Sequence, residues 1–273
     1  VTAISCRVEE LWQQILAGAS GVHLVHLCDT SDLKVKIGGD IYDWNPAEYI
    51  DPKDAKRVDR FTQFAMVAGA EAVRDSGIDL SQGDSYRCGV VLGSGIGGLG
   101  EIEAQMSRLM TKGPDRVSAF TVPKMMLNAA GSVLAIEYGI HGPNYAVATA
   151  CASATNAMAD ALKLIQDNRA DVIITGGTEA AITRMGLSAF QNIKALSMRN
   201  DDPAGASRPF DADRDGFVFS EGAGLLVFEE LEHAKARGAR IYSEVYGAGV
   251  STDAGHITQP DENGTGAARA MAG

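Results

Sequence analysis

No apolar run in the 273 residues approaches the roughly 20 residues that a membrane-spanning helix needs, and no secretory leader pattern opens the chain. Cysteine is sparse. Cys6, Cys28, Cys88 and Cys151 are scattered without paired spacing, which argues against a disulfide framework and for a reducing compartment. Basic residues are outnumbered, 24 Lys and Arg against 35 Asp and Glu, so the net charge is −11. Nucleic acid and anionic membranes reward basic surfaces, so neither is expected as a general partner, and an acidic partner would need a local basic patch. No internal repeat stands out. With 45% hydrophobic and 22% charged residues, the chain has the balance and length of a cytoplasmic α/β protein with a full core.

One stretch organises the rest, Asn144 to Asp167. Tyr145–Thr149 is β-prone and apolar, while Ala157, Ala161, Leu164 and Ile165 recur at helical spacing. Cys151 therefore falls at a strand-to-helix turn. The start of a helix presents unpaired N–H groups and partial positive charge, which suit an anionic nucleophile. Ala150, Ala152, Ser153 and Ala154 are small enough to admit an acyl group, and the Cys151 N–H is a candidate oxyanion donor. The competing reading is a buried structural cysteine, a common environment for free thiols.

Helical spacing is found over Val8–Ala17, Pro46–Tyr49, Asp51–Gly77, Glu101–Met110, Thr121–Tyr138 and Leu231–Arg237, and a last helix starts near Ala267. Strands are expected over Cys88–Leu92, Asp171–Thr175, Gly224–Phe228 and Ile241–Gly247. Three metal or nucleotide patterns fail on context. His23, His26 and Cys28 lie close together, but no fourth ligand is near and HLVHLC alternates like a strand, so no metal is expected. Gly93–Gly100 contains GxGxxG without the βαβ unit and acidic residue of a nicotinamide site, so its glycines are assigned to close packing. Asp211–Gly216 matches six positions of an EF-hand loop, but position twelve is Gly222 and a strand follows where a helix is needed.

ATACASA around Cys151, preceded by VSAFTVPKMMLNAAGSVLAIEYGIHGPN and followed by DVIITGGTEA, RPFDADRDGFVFSEGAG and STDAGHITQP, resembles the β-ketoacyl-[acyl carrier protein] synthases of fatty acid synthesis, most closely the synthase II type. The likeness covers nearly the whole chain. It implies a thiolase-like layered αβαβα fold, represented mostly by its N-terminal half. Residues 1–250 would be the domain with the nucleophile, and 251–273 a gate loop and the start of the second half. The implied reaction condenses a carrier-bound acyl chain with malonyl carrier protein to give a 3-oxoacyl product and CO2, with Cys151 acylated.

The resemblance also implies roles for other residues. Ile96, Phe190 and Phe217 would line the acyl pocket, and Asp253, His256 and Thr258 would lie in a gate loop, where His256 reads as a surface residue and not a base. Lys53, Lys56 and Arg57 would dock the acidic carrier protein, extended by Arg116, Lys124 and Lys194, with Asp115 where a related synthase has a base. The strand Asp171–Thr175 would pair with its copy in a homodimer. No cofactor is implied beyond the phosphopantetheine arm of the carrier. The family begins earlier than Val1 and continues past Gly273 with two catalytic histidines, a lysine and a glycine-rich gate, so the chain reads as a fragment inactive in condensation by itself. Two alternatives stay open: a type II polyketide ketosynthase, and a non-catalytic chain-length partner or scaffold, against which Cys151 counts.

Overall fold

Every residue of the run Cys88–Gly93 is buried in the computed structural model, which describes residues 1–273. A strand apolar on both faces needs helices on both, and the rest of the chain supplies them. In chain order the elements are α1 (Val8–Leu16), β1 (His23–Leu24), β2 (Ile37–Gly38), α2 (Pro52–Ala55), α3 (Arg60–Ser76), β3 (Cys88–Gly93), α4 (Leu99–Lys112) and α5 (Thr121–Met125). There follow α6 (Ala129–Tyr138), β4 (Asn144–Val147), α7 (Ser153–Gln166), β5 (Val172–Glu179), α8 (Arg184–Asn192), β6 (Gly222–Glu229), α9 (Leu231–Ala236) and α10 (Thr265–Ala272).

The main sheet runs β4-β3-β5-β6, with the first three strands parallel and β6 antiparallel to β5. Side chains alternate across a strand, and the cores divide accordingly. Val90, Leu92, Val172 and Ile174 pack with Phe61, Phe64, Ala65 and Ala68 of α3 and Leu134 of α6, whereas Val91 and Ile173 pack with Ala157, Ala161 and Leu164 of α7. The result is one helix–sheet–helix sandwich.

Two glycines set the depth of α7. A Cβ at Gly93 would lie 2.2 Å from the Ser153 carbonyl carbon, and one at Gly177 would lie 2.7 Å from Ala154 Cβ. The first turn of α7 therefore rests on bare backbone at the carboxyl end of β3. At the same end of the sheet, where Gly222 pairs with Glu179 of β5, Glu221 is buried and accepts from Ile41 N at 2.8 Å and from Arg60 Nε and Nη2 at 2.9 and 2.6 Å. That fork joins the entry to β6 to the start of α3.

Several expectations need correction. The segment Asp51–Gly77 is two helices, because the Asp59 side chain caps a new start by accepting from Phe61 N and also takes Glu101 N. Thr121–Tyr138 is likewise split, with Met126 extended, and Met125 O receives the Gly98 N–H at the break. Gly176 and Gly177 lie inside β5 instead of ending it. The strand containing Val172–Thr175 has β3 on one side and β6 on the other, so it has no free edge to offer a second copy; β4 and β6 are the edges. The alternation of HLVHLC yields only His23–Leu24 as strand, since the Asp40 carboxylate draws the His26 and Leu27 N–H groups off the ladder. Residues 241–247 form no strand: all are exposed and no neighbour pairs with them, and a pleated pattern without a ladder does not hold.

The seat of α7 is directly testable. Gly93→Ala should lower stability by roughly 3 kcal/mol, because backbone on both sides cannot move aside as a side-chain tip would. Urea unfolding of the two proteins checks it, and an unchanged midpoint would show that α7 does not rest on this strand.

Candidate active site

The chain leaves β4 at Val147 and reaches Cys151 through a residue in a conformation that costs energy. Ala150 has φ +50°, the left-handed region, which a residue with a Cβ adopts at a cost of about 1–2 kcal/mol. Hydrogen bonds hold it there. Ser153 Oγ donates to Ala150 O at 2.6 Å and accepts from Thr149 N at 2.9 Å, while Ser153 N also donates to Ala150 O at 3.1 Å. Asn156 Nδ2 reaches back from the next turn of α7 to Thr149 Oγ1 at 2.9 Å. The outcome is an exposed Cys151 on a tight, self-bonded turn, whereas Cys88 is buried and Cys6 and Cys28 are half-buried.

The turn delivers that thiol to the start of α7. Ala152 at the cap position supplies no side-chain acceptor, and with Ser153 N bonded to Ala150 O, the Ala154 and Thr155 N–H groups are left for another anion. The Cys151 N–H takes no part in the bonds that close the turn. Ser153 and Asn156 were not singled out from the sequence beyond the small size of Ser153. A hydroxyl at the start of an alanine-rich helix was the available signal.

Glu179, at the end of β5, was also missed. Its carboxylate accepts from Gly95 N at 2.7 Å, Ile96 N at 3.2 Å and Ser94 Oγ at 3.3 Å, and thereby fixes the glycine-rich loop after β3. A Cβ on Gly95 would lie 3.7 Å from Ala150 O, so this loop borders the cysteine turn. The loop glycines serve packing, as expected: a Cβ at Gly98 would lie 2.5 Å from Lys124 O. Ile96 follows directly and packs, with Phe190, on a cluster that includes Leu187, Leu196 and Phe219. The Phe190 ring meets Phe217 edge-on at 5.9 Å and Phe219 at 4.7 Å, and Phe217 is half-exposed. Ile96 and Phe190 thus pack on one apolar cluster, and Phe217 meets it through the Phe190 ring.

A strained strand-to-helix turn presenting a thiol above a parallel sheet is one arrangement for acyl transfer, and sequence comparison matches it. Residues 1–234 match the β-ketoacyl synthase N-terminal domain. The chain belongs to this family. It is 45% identical over 272 residues to 3-oxoacyl-[acyl-carrier-protein] synthase 2 of Synechocystis, covering all of this chain and 65% of that protein, just under two thirds. The fold is that of the thiolase-like ketosynthases. The ishigamide ketosynthase/chain length factor superposes with TM-score 0.89 at 30% identity, over the whole chain and 66% of that structure. A type II polyketide ketosynthase solved with its acyl-carrier protein gives 0.88 at 29%, with the same coverage.

The other expected site residues are less concentrated. Lys53, Lys56 and Arg57 are exposed at α2, with Arg57 3.6 Å from Asp54. Arg116 is exposed beside Asp115 and shares a shallow depression with Arg108 and Lys112 of α4, two bases not expected from the sequence. Lys194 is exposed in a left-handed conformation after α8. Lys124 is instead mostly covered and pairs with Glu101 at 3.6 Å, which removes it from any free basic patch. Asp253, His256 and Thr258 are exposed and bonded within their own segment: Asp253 takes Asp261 N, and His256 Nδ1 accepts from Thr258 N and Gln259 N. None of the three touches the cysteine turn through a hydrogen bond. The acids of the apparent EF-hand loop are used locally, Asp211 by Arg208 and Asp215 by Ser197 and Met198 N.

Burial pushes the Glu179 carboxyl above its ordinary value of 4.5, with the hydrogen bonds from Gly95, Ile96 and Ser94 opposing the shift. A carboxyl raised on folding favours the folded state while protonated. Its contribution is therefore fully present below 4.5 and lost as pH rises through the folded value. Glu179→Gln keeps an acceptor for Gly95 and Ile96 but cannot ionise. Relative to this variant, the native protein should lose stability as pH climbs from 4 through the weakly acidic range, measured by denaturant unfolding at each pH; parallel curves would remove the argument.

Proposed function

We propose that this chain is the acyl-accepting part of a synthase II type β-ketoacyl-[acyl carrier protein] synthase, which elongates acyl chains in cytoplasmic fatty acid synthesis. The observation that carries the reading is the exposed Cys151 thiol on the strained turn at the open end of α7, next to the wall of Ile96, Phe190 and Phe217. Cys151 Sγ attacks the carbonyl carbon of a carrier-bound thioester. Helix-terminal N–H groups, including that of Cys151, take the negative charge on oxygen. The bond to the phosphopantetheine sulfur breaks, that sulfur leaves with a proton as the free carrier thiol, and the acyl chain lies along the apolar wall.

In the second half-reaction malonyl carrier protein loses CO2, and the resulting carbanion attacks the acyl-Cys151 carbonyl, releasing the cysteine sulfur and the 3-oxoacyl carrier. The enolate needs a stabilising donor. The five histidines here are engaged elsewhere or placed apart. His23 contacts backbone carbonyls, His26 packs on Tyr42, His141 meets Ser85, His233 meets Glu229, and His256 is tied within its own loop. That step falls to groups outside these 273 residues. Neither a metal nor a nicotinamide enters this chemistry.

The carrier protein docks through Lys53, Lys56 and Arg57, with Arg116 and Lys194 as further contacts and Asp253, His256 and Thr258 on the path of the arm. A homodimer forms along β4, the free edge beside the cysteine turn. Tyr145 of that strand and Ile136 of the adjoining α6 are exposed apolar groups, 37% and 82% respectively. Sequence likeness favours fatty acid synthesis over the polyketide reading, and a carrier-swap assay separates them. No helix is long and apolar enough to cross a membrane.

An acyl-thioester mimic should label the chain once, and Cys151→Ala should abolish labelling. Cys6, Cys28 and Cys88 are at least partly covered, and burial pushes each thiol up. Mass spectrometry of the same mixture with malonyl carrier protein should show acyl-enzyme without 3-oxoacyl product; product that disappears in Cys151→Ala would mean that a histidine listed above does the stabilising. Charge reversal of Lys53, Lys56 and Arg57 together should weaken carrier binding by about tenfold at low salt, mostly through association rate. Its effect on stability should stay within about 0.5 kcal/mol. Undiminished binding by the triple variant would make this an ordinary solvated helix face.

A further inference from the structure

The β1–β2 hairpin brings together three side chains that the acyl chemistry leaves unused. His23 pairs across the ladder with Gly38, two residues before Asp40, and His26 follows three residues after His23. The ligand atoms of His23, His26 and Asp40 lie within 4.8 Å of one another. Asp40 is only 1% exposed. Its Oδ2 accepts from His26 N at 2.9 Å and Leu27 N at 3.1 Å, whereas its Oδ1 is buried with no hydrogen-bond partner. An unmatched carboxylate oxygen in that position is costly unless a cation meets it.

The histidine geometry says what kind of cation. His23 Nε2 lies 3.1 Å from Asp40 O, the usual outer-shell bond of a metal-binding imidazole, which leaves Nδ1 as the ligating atom. In the tautomer with its proton on Nε2, Nδ1 turns a lone pair toward two oxygens, Asp40 Oδ1 at 3.4 Å and Leu24 O at 3.0 Å. Tetrahedral bonds of about 2.0–2.1 Å put neighbouring ligand atoms about 3.3–3.4 Å apart. The separation of Nδ1 and Oδ1 matches one edge of such a site. Tyr42 backs both rings, edge-on to His23 at 5.1 Å and tilted against His26 at 4.3 Å, which restricts their rotation.

We propose that His23, His26 and Asp40 bind a first-row divalent cation of the zinc type, with the fourth position open on the exposed His26 side. Two imidazoles and a carboxylate suit zinc and its neighbours over magnesium or calcium, which prefer all-oxygen shells. The earlier exclusion of a metal here rested on a missing ligand near Cys28; the missing ligand is Asp40, brought in by the fold, and Cys28 is not needed. The site shares no residue with the cysteine turn and does not rest on the reading of Cys151 as nucleophile.

The test uses the chain stripped with a chelator and titrated with Co2+, followed by Zn2+ competition. One equivalent of Co2+ should bind, with visible bands of a four-coordinate ion and no thiolate charge-transfer band, and Zn2+ should displace it. Losing an outer-shell partner already costs about 10–100-fold in affinity, so loss of a ligand in His26→Ala or Asp40→Asn should cost at least about tenfold, while Cys28→Ser should bind as the native chain does. His26 is exposed, so His26→Ala keeps the fold, which circular dichroism verifies. Absence of one-to-one binding, or equal affinity in His26→Ala, would overturn the proposal. So would an imidazolium at His23 in the stripped protein whose NMR signals Zn2+ leaves unmoved, since a proton would then occupy the place assigned to the metal.

Discussion

The close approach of α7 to β3 is the constraint on which the site depends. A helix laid on a sheet normally stands off by the thickness of its side chains, yet Ser153 and Ala154 touch backbone at Gly93 and Gly177. Only that descent brings the start of the helix level with the end of β4, and the five residues between the two must then turn sharply. The strain at Ala150 is the local cost, and the bonds from Ser153 and Asn156 offset it. The exposed thiol follows from sheet and helix meeting at this distance.

The burial pattern of the strands supports the same geometry from below. Val90 and Leu92 face α3 and α6 while Val91 faces α7, and Thr175 and Thr178 are the buried polar side chains of β5, the second of them bonded to Phe61 O. Thr175 Oγ1 is itself unpartnered, so the sheet centre tolerates one unmet hydroxyl. The Arg60–Glu221 fork sits at the far edge, where its charges are desolvated and paired at two points. Such a pair adds little net stability but is damaging to break, and so it fixes one arrangement of α3 against β6.

Much of this was legible in the sequence. Cys151 was found because an apolar run gives way to helical spacing at that residue, a signal that needs no partner. The roles of Ile96, Phe190 and Phe217 came from resemblance; in the fold Ile96 and Phe190 pack on one cluster and the Phe190 ring meets Phe217. What periodicity missed was long-range. Glu179 reads as an acid after two glycines, and only the fold aims it at the Gly95 loop. Asp40 reads as one acid among 35, and only the hairpin sets it against His23. The strand expected over Ile241–Gly247 failed for the related reason that alternation specifies a face but does not supply a neighbour. Edge and centre in the sheet were confused because a buried run looks the same in either place.

The cysteine turn is closed by bonds among Thr149, Ala150, Ser153 and Asn156, and none of these bonds involves Phe190 or Phe217. The bonds that hold the sulfur in place and the packing that holds the aromatic rings are therefore separate. Sites without shared partners respond to substitution almost independently. A lineage could exchange these aromatic rings again and again, and the sulfur would stay where the helix puts it.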